Sequence, residues 1–206
     1  MASAAANNFK IFYMNQGGKG NWGAIRYSEY DLLCLAEWRD AKANFKVAWS
    51  SKDSVPSMSI QVPEHSGREI VGPKDSDLTA QTVRPIVSFT VKGQAFRVIF
   101  VHLKSGDASQ ANAALKASVA NLATLQIPNA TPILWIGDFN RADSLSNFFE
   151  SAKCIVSGGG EAKWPLDRVY TTGTWPATMT VQAEQVSRAG DNGHAGYAIT
   201  VSTRRH

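Results

Sequence analysis

The chain has 206 residues, 44% hydrophobic and 18% charged, with a formal charge of +4. That length suits one domain, residues 1–206, with a sizeable core, and no stretch approaches the roughly 20 apolar residues of a membrane span. The mild basic excess is compatible with a polyanionic partner without demanding one.

The first residues, "MASAAANN", lack a basic stretch followed by an apolar one, so no signal peptide is expected there. Short strand-like runs then dominate: "FKIFYM", "DLLCLAEW", "NFKVAW", "SMSIQV", "PIVSFTV", "AFRVIFVH", "PILWIGDF", "DRVYTT", "TMTVQAEQV" and "GYAITVS". Cys34 and Cys154, the two cysteines, both sit in apolar runs, which reads as two buried thiols, with a single bridge as the alternative. "SFTVKGQAFRV" reads as a hairpin turning at Lys92-Gly93. In "DASQANAALKASVANLATL" apolar residues recur at steps of three and four, from Ala108 to Leu125, so a helix is expected behind an Asp107 cap with Gln110 as reciprocal partner. The run Ile133 to Ile136 is apolar on both alternating faces, as in a strand covered on both sides. "DSLSNFFESA" (143–152) is expected to form a second helix, capped by Asp143. Many strands with few helices predict an α+β fold of two packed sheets with helices outside, rather than a doubly wound parallel sheet.

"ILWIGDFNRADS" is the sharpest chemical signal. A buried strand ends in Gly-Asp-Phe-Asn, so Asp138 and Asn140 share one side of an extended chain. Together they can hold a nucleophilic water and a phosphate oxygen; equally, Asp and Asn are ordinary turn residues. Glu37 closes another apolar strand, as a magnesium ligand or a solvated strand end. His102 ends "RVIFVH", His194 precedes the last strand, and each is a catalyst or a satisfied structural histidine. Asp167 begins "DRVYTT" and can be a turn acid.

The order of these motifs carries more than any one of them. "NQGGKGNW", "DLLCLAEW", "VRPIVSFTV…FRVIFVH", "WIGDFNR", "LDRVY" and the histidine before the closing strand resemble the endonuclease/exonuclease/phosphatase superfamily of metal-dependent phosphodiesterases. Within it, the likeness is greatest to the catalytic, deoxyribonuclease-like subunit of cytolethal distending toxin. The resemblance spans Phe9 to Val201. It implies a compact version of the four-layer α/β sandwich, with two mainly antiparallel sheets flanked by helices. It also implies Mg²⁺ (or Mn²⁺) on Glu37, the nucleophile and phosphate positioned by Asp138 and Asn140, and His194 as general base oriented by Asp167. His102 would stabilise the pentacovalent phosphate or the leaving oxygen. Arg84 and Arg141 would grip flanking phosphates, with Gln16 and Asn15 in the substrate-binding loop.

Two positions depart from the family pattern. The closing Ser-Asp-His is here Asn192-Gly193-His194, with Asp191 further back. The first-strand asparagine falls on Met14 when Gln16 and Gly17 are held in register, and Asn15 serves only if the strand shifts by one residue and flips its face. The segment between Glu37 and Arg84 leaves little room for a helix. The expected function is DNA nicking by a secreted or delivered toxin effector acting in a target-cell nucleus, with toxin delivery subunits as partners. A phosphoinositide phosphatase using the same site and a non-catalytic binding module on the same scaffold are the rivals.

Overall fold

A computed structural model describes residues 7–17, 25–38, 40–51, 58–75, 86–103, 106–161, 164–188 and 194–204. In chain order the elements are β1 (Asn7–Asn15), β2 (Leu32–Ala36), β3 (Phe45–Ser50), β4 (Met58–Pro63), β5 (Ile70–Asp75), β6 (Ile86–Val91) and β7 (Arg97–His102). The helix α1 (Ala108–Thr124) follows, then β8 (Ile133–Asp138), β9 (Lys153–Glu161), β10 (Trp164–Thr172), β11 (Met179–Arg188) and β12 (Ala195–Thr203). They form two six-stranded sheets, ordered β11-β12-β1-β2-β4-β3 and β5-β6-β7-β8-β10-β9. Each sheet is antiparallel except for one parallel pair, β1 with β2 and β7 with β8. The expected pair of packed, mainly antiparallel sheets is what the chain forms.

The period of two along each strand builds the core. Phe9, Ile11 and Tyr13 of β1, Val98 and Phe100 of β7, Leu134 and Ile136 of β8, and Val169 of β10 all enter the cluster between the sheets. The alternate residues face outward. On the second sheet Ile99, Val101, Ile133 and Trp135 pack under Ala111, Ala114, Leu115 and Leu122 of α1. Asp107 caps that helix as expected, its Oδ1 accepting from the Ser109 and Gln110 amides at 2.8 and 3.2 Å.

Two expectations need correction. Residues 143–152 hold only a one-turn 3₁₀ segment, Leu145–Asn147, whose Ser144 hydroxyl caps it; the Asp143 amide instead donates to Asn112 Oδ1. Among the described residues α1 is therefore the one α-helix. Among the described residues the outer face of the first sheet (Phe12, Met14, Leu33, Leu35, Phe45) is covered by Ile25, Tyr27 and Tyr30 around the 3₁₀ turn Tyr27–Glu29 and by Trp38, not by an α-helix. This fits the short segment after Glu37. The second correction concerns the thiols: both are free, Cys34 in the core but Cys154 exposed on the edge strand β9. Among the described residues no helix is long and apolar enough to cross a membrane.

Candidate active site

The two parallel pairs point their C-terminal ends to the same edge of the sandwich. Asn15 at the end of β1 lies opposite Ala36, the last residue of β2, and His102 at the end of β7 lies opposite Asp138, the last of β8. Asp167 pairs with Asp138 across β10 and β8, and Tyr13 pairs with Tyr197, which leaves His194 just outside the start of β12 at that same edge. Each inward-facing row is apolar until its final rung, where it turns polar. Ile11 and Tyr13 lead to Asn15, Val98 and Phe100 to His102, and Leu134 and Ile136 to Asp138.

This alternation decides the Met14 question. Met14 lies with Phe12 in the outer cluster and is fully buried there. Asn15 occupies the inner edge with no register shift. Its Oδ1 accepts from the Gly17 amide at 3.0 Å, which fixes the amide orientation. Its Nδ2 then donates to Asp138 Oδ2 at 3.0 Å and faces His194 Nε2 at 3.2 Å.

Asp167 is 0% exposed and lies in a strand, not a turn. Oδ1 accepts from the Tyr13 hydroxyl at 2.6 Å, and Oδ2 accepts from the Ala195 amide at 2.7 Å and stands 3.1 Å from His194 Nδ1. An ionised carboxylate only accepts, so Nδ1 of His194 is the donor and Nε2 the nitrogen that can exchange a proton. Burial works against the His194 charge. The hydrogen bond to Asp167 and the charges of Asp167, Asp138 and Glu37 outweigh it and hold the pKa at about 9. Burial and the Asp167 charge raise the Asp138 carboxyl, against the pull of His102, His194 and the Asn140 amide.

Asp138 also accepts from the Asn140 amide through Oδ1 at 2.8 Å, the Asx turn that residue types alone suggested. Asn140 sits at a φ of +45° and spends its side-chain Nδ2 on the Leu103 carbonyl, tying the exits of β7 and β8 together. Gly137, one residue before Asp138, has a φ of +148°, and a Cβ there would stand 1.9 Å from the Val101 carbonyl oxygen. Only glycine allows β8 to approach β7 so closely.

His102 is fully buried, its Nε2 lying 3.5 Å from Glu37 Oε1 and 3.8 Å from Asp138 Oδ2. Glu37 follows β2 at a φ of +51°, with its side chain 23% exposed. Two donor sets are available to a cation. Asp138, Asp167 and His194 each bring a ligand atom within 4.8 Å of the others, a group that can hold a metal ion. In that set both Asp167 oxygens are already occupied by donors and shut away from solvent. Glu37 is the better fit to a hard divalent ion, being a carboxylate that solvent reaches, beside Asp138 and His102.

Gln16 is buried beside the site, and its Nε2 has no hydrogen-bond partner among the described residues. Arg141 is exposed next to Asn140. Arg84, Asp191, Asn192 and Gly193 lie outside the described residues. Two further residues had no role assigned from sequence. Tyr13 stands inside the apolar run "FKIFYM", and Arg168 inside "LDRVY". Arg168 is 4% exposed and donates to the carbonyls of Pro165, Asp143 and Asn140 at 2.8, 3.1 and 3.4 Å, with its guanidinium over the Phe139 ring. It pins the loop that carries Asn140 to the strand that carries Asp167. A buried cation that donates only to main-chain carbonyls leaves no sequence signal.

No family model matches the chain, and neither does any curated protein sequence. Solved structures do. TDP2 of D. rerio superposes with a TM-score of 0.71 in a humanized form and 0.67 in complex with a single strand DNA product, each time at 13% identity over 95% of this chain and 99% of that one. An endonuclease/exonuclease/phosphatase family protein from Bacteroides thetaiotaomicron gives 0.69 at 12% identity over 98% and 100%. The mannosyl-6-phosphatase Bt3783 of the same species gives 0.65 at 11% over 94% and 99%. The chain has the endonuclease/exonuclease/phosphatase fold over nearly its whole length, as its motif order implied.

Proposed function

We propose that this chain, sharing the fold of the endonuclease/exonuclease/phosphatase proteins, is a metal-dependent phosphodiester hydrolase that nicks DNA. The observation that carries the reading is the Asp167–His194 pair, with Nδ1 held at 3.1 Å and Nε2 facing Asn15 and Asp138 across the gap between the sheets. Hydrolysis needs a base for water, a group to place that water, and charge to meet the phosphate. His194 Nε2 takes the proton of the attacking water as its oxygen bonds to phosphorus. Asp167 fixes the tautomer and stabilises the resulting imidazolium. Asp138 and Asn15, hydrogen-bonded to each other at 3.0 Å, together steer that water, and His102, against Glu37 and Asp138, faces the oxygens of the phosphate as the P–O bond to the leaving group breaks and the departing oxygen takes a proton from solvent.

Glu37 would hold Mg²⁺ or Mn²⁺. Such an ion supplies positive charge beside the phosphate and offsets a carboxylate that keeps His194 protonated. Arg141, and Arg84 upstream of β6, would meet the flanking phosphates, and Gln16 the sugar-phosphate chain.

Two features favour DNA: the basic balance of the chain, and the DNA product held by a structure of this fold. A phosphomonoesterase is the second reading, because a sugar-phosphate phosphatase also superposes. The nicking activity, delivery as a secreted effector and toxin partners follow the likeness of "GDFNR" and the Arg-Pro hairpin to the distending-toxin subunit. The intact Asp167 pair argues against a degenerate binding module. Supercoiled plasmid incubated with the protein should relax to the nicked form with Mg²⁺ and stay supercoiled with EDTA. Intact plasmid together with release of inorganic phosphate from a phosphomonoester would transfer the site to the second reading.

A further inference from the structure

We infer that Tyr13 is a positioning residue for this hydrolysis, acting on His194 through Asp167; the inference rests on the hydrolase reading above. Its phenol donates to Asp167 Oδ1 at 2.6 Å, and burial together with the Asp167 and Asp138 charges raises its pKa, so it stays a donor throughout the working range. The ring cannot drift. It is fully buried, edge-on to Phe100 with centroids 6.0 Å apart and stacked on Tyr197 at 6.5 Å and 19°.

The reason a carboxylate needs this partner is geometric. Asp167 is shut away from solvent, so each oxygen must be satisfied by the protein. Oδ2 has the Ala195 amide and, at 3.1 Å, the imidazole; Oδ1 has the Tyr13 hydroxyl at 2.6 Å and only the longer 3.3 Å approach of the same imidazole nitrogen. Remove the hydroxyl, and Oδ1 becomes a buried acceptor with that donor gone. The carboxylate then turns about its Cβ–Cγ bond to share the amide, or takes up a proton. Either response releases Nδ1 of His194 from its donor role and randomises which nitrogen faces the water. Tyr13 and Asn15 are two residues apart on one strand and share the inner face, so β1 delivers both the group that holds the water and the group that sets the base. A tyrosine that only filled the core would affect stability without changing turnover.

The test compares wild type, Tyr13→Phe, Asp167→Asn and the double variant, on a defined duplex oligonucleotide with Mg²⁺. Tyr13→Phe keeps the ring and should lower kcat about 10- to 100-fold with KM unchanged, the usual cost of losing an outer partner of a reacting group. On the Asp167→Asn background the same change should cost nothing further, because its route is gone. Wild-type kcat in Tyr13→Phe, a change confined to KM, or an equal loss on both backgrounds overturns the inference. Proton NMR of the metal-free wild type should show a slowly exchanging phenol hydroxyl resonance assigned to Tyr13, and its absence overturns the contact even if the variant does not fold. Failure of the hydrolase reading looks different: wild type itself leaves the oligonucleotide intact, which removes the catalytic consequence while the resonance still decides the contact.

Discussion

Titrating the metal-free protein from about pH 6.5 to about pH 8.5 should weaken it, and His194 sets by how much. An unfolded chain gives up this proton near 6.5, whereas in the folded chain burial of the ring is outweighed by Asp167, Asp138 and Glu37 and the pKa stands at about 9. The folded state therefore binds more protons across the interval. Stability is full below 6.5 and is lost as the pH climbs through about 9. The interval between those two values is equivalent to about 3 kcal/mol, at about 1.4 kcal/mol per pH unit, and about 2 kcal/mol of it goes before pH 8.5. Beyond that pH the thiols of the unfolded chain begin to ionise while burial keeps the Cys34 thiol protonated, so the histidine no longer acts alone. Urea denaturation in EDTA at several pH values reads the slope directly. Asp167→Asn removes the charge and the acceptor, and should flatten it. A wild-type stability that is level across the interval, or a slope unchanged in Asp167→Asn, would mean that Asp167 does not hold an extra proton on His194 in the folded chain.

Gly137→Ala should cost about 4 kcal/mol in urea denaturation, the sum of a strained φ and a Cβ driven into the Val101 carbonyl; a near-wild-type midpoint would show that β7 and β8 yield easily. Arg168→Met should cost about 3 kcal/mol by the same assay, because it strands the carbonyls of Pro165, Asp143 and Asn140. Unchanged stability there would mean that the Asn140 loop holds itself. Glu37→Gln should shift the Mg²⁺ requirement for nicking upward while the melting temperature stays put, and a superimposable magnesium titration would leave Glu37 a plain strand-end carboxylate. DNA binding should weaken with salt at about 0.9 in log–log slope per phosphate neutralised; a flat response contradicts a DNA partner.

Strands with clean alternation were legible. Those carrying glycine were not. β5 contains Gly72 and Pro73, and β9 runs through Gly158, Gly159 and Gly160, so neither shows a period of two, although pairing to β6 and β10 holds both in place. The second helix was misread because "LSNFF" has helical spacing but packs Phe148 and Phe149 against the α1 layer from a single 3₁₀ turn. At the site, the strand-end residues Glu37, His102 and Asp138 stood out, since polar groups closing apolar runs are conspicuous. Asn15 was ambiguous because motif register and strand face disagreed, and only the identity of the inner row resolves which residue faces the partner sheet. Tyr13 was invisible for a simpler reason. Its value lies in one hydroxyl meeting a residue 154 positions away.

In the proposed hydrolysis His194, set by Asp167, takes the proton of the attacking water. Initial nicking rates of wild type, His194→Ala, Asp167→Ala and the double variant on supercoiled plasmid with Mg²⁺ test it most directly. Each single change should remove most of the activity, and the double variant should be little worse than either, because the two residues act as a unit. Plasmid nicked at the wild-type rate by His194→Ala would contradict it.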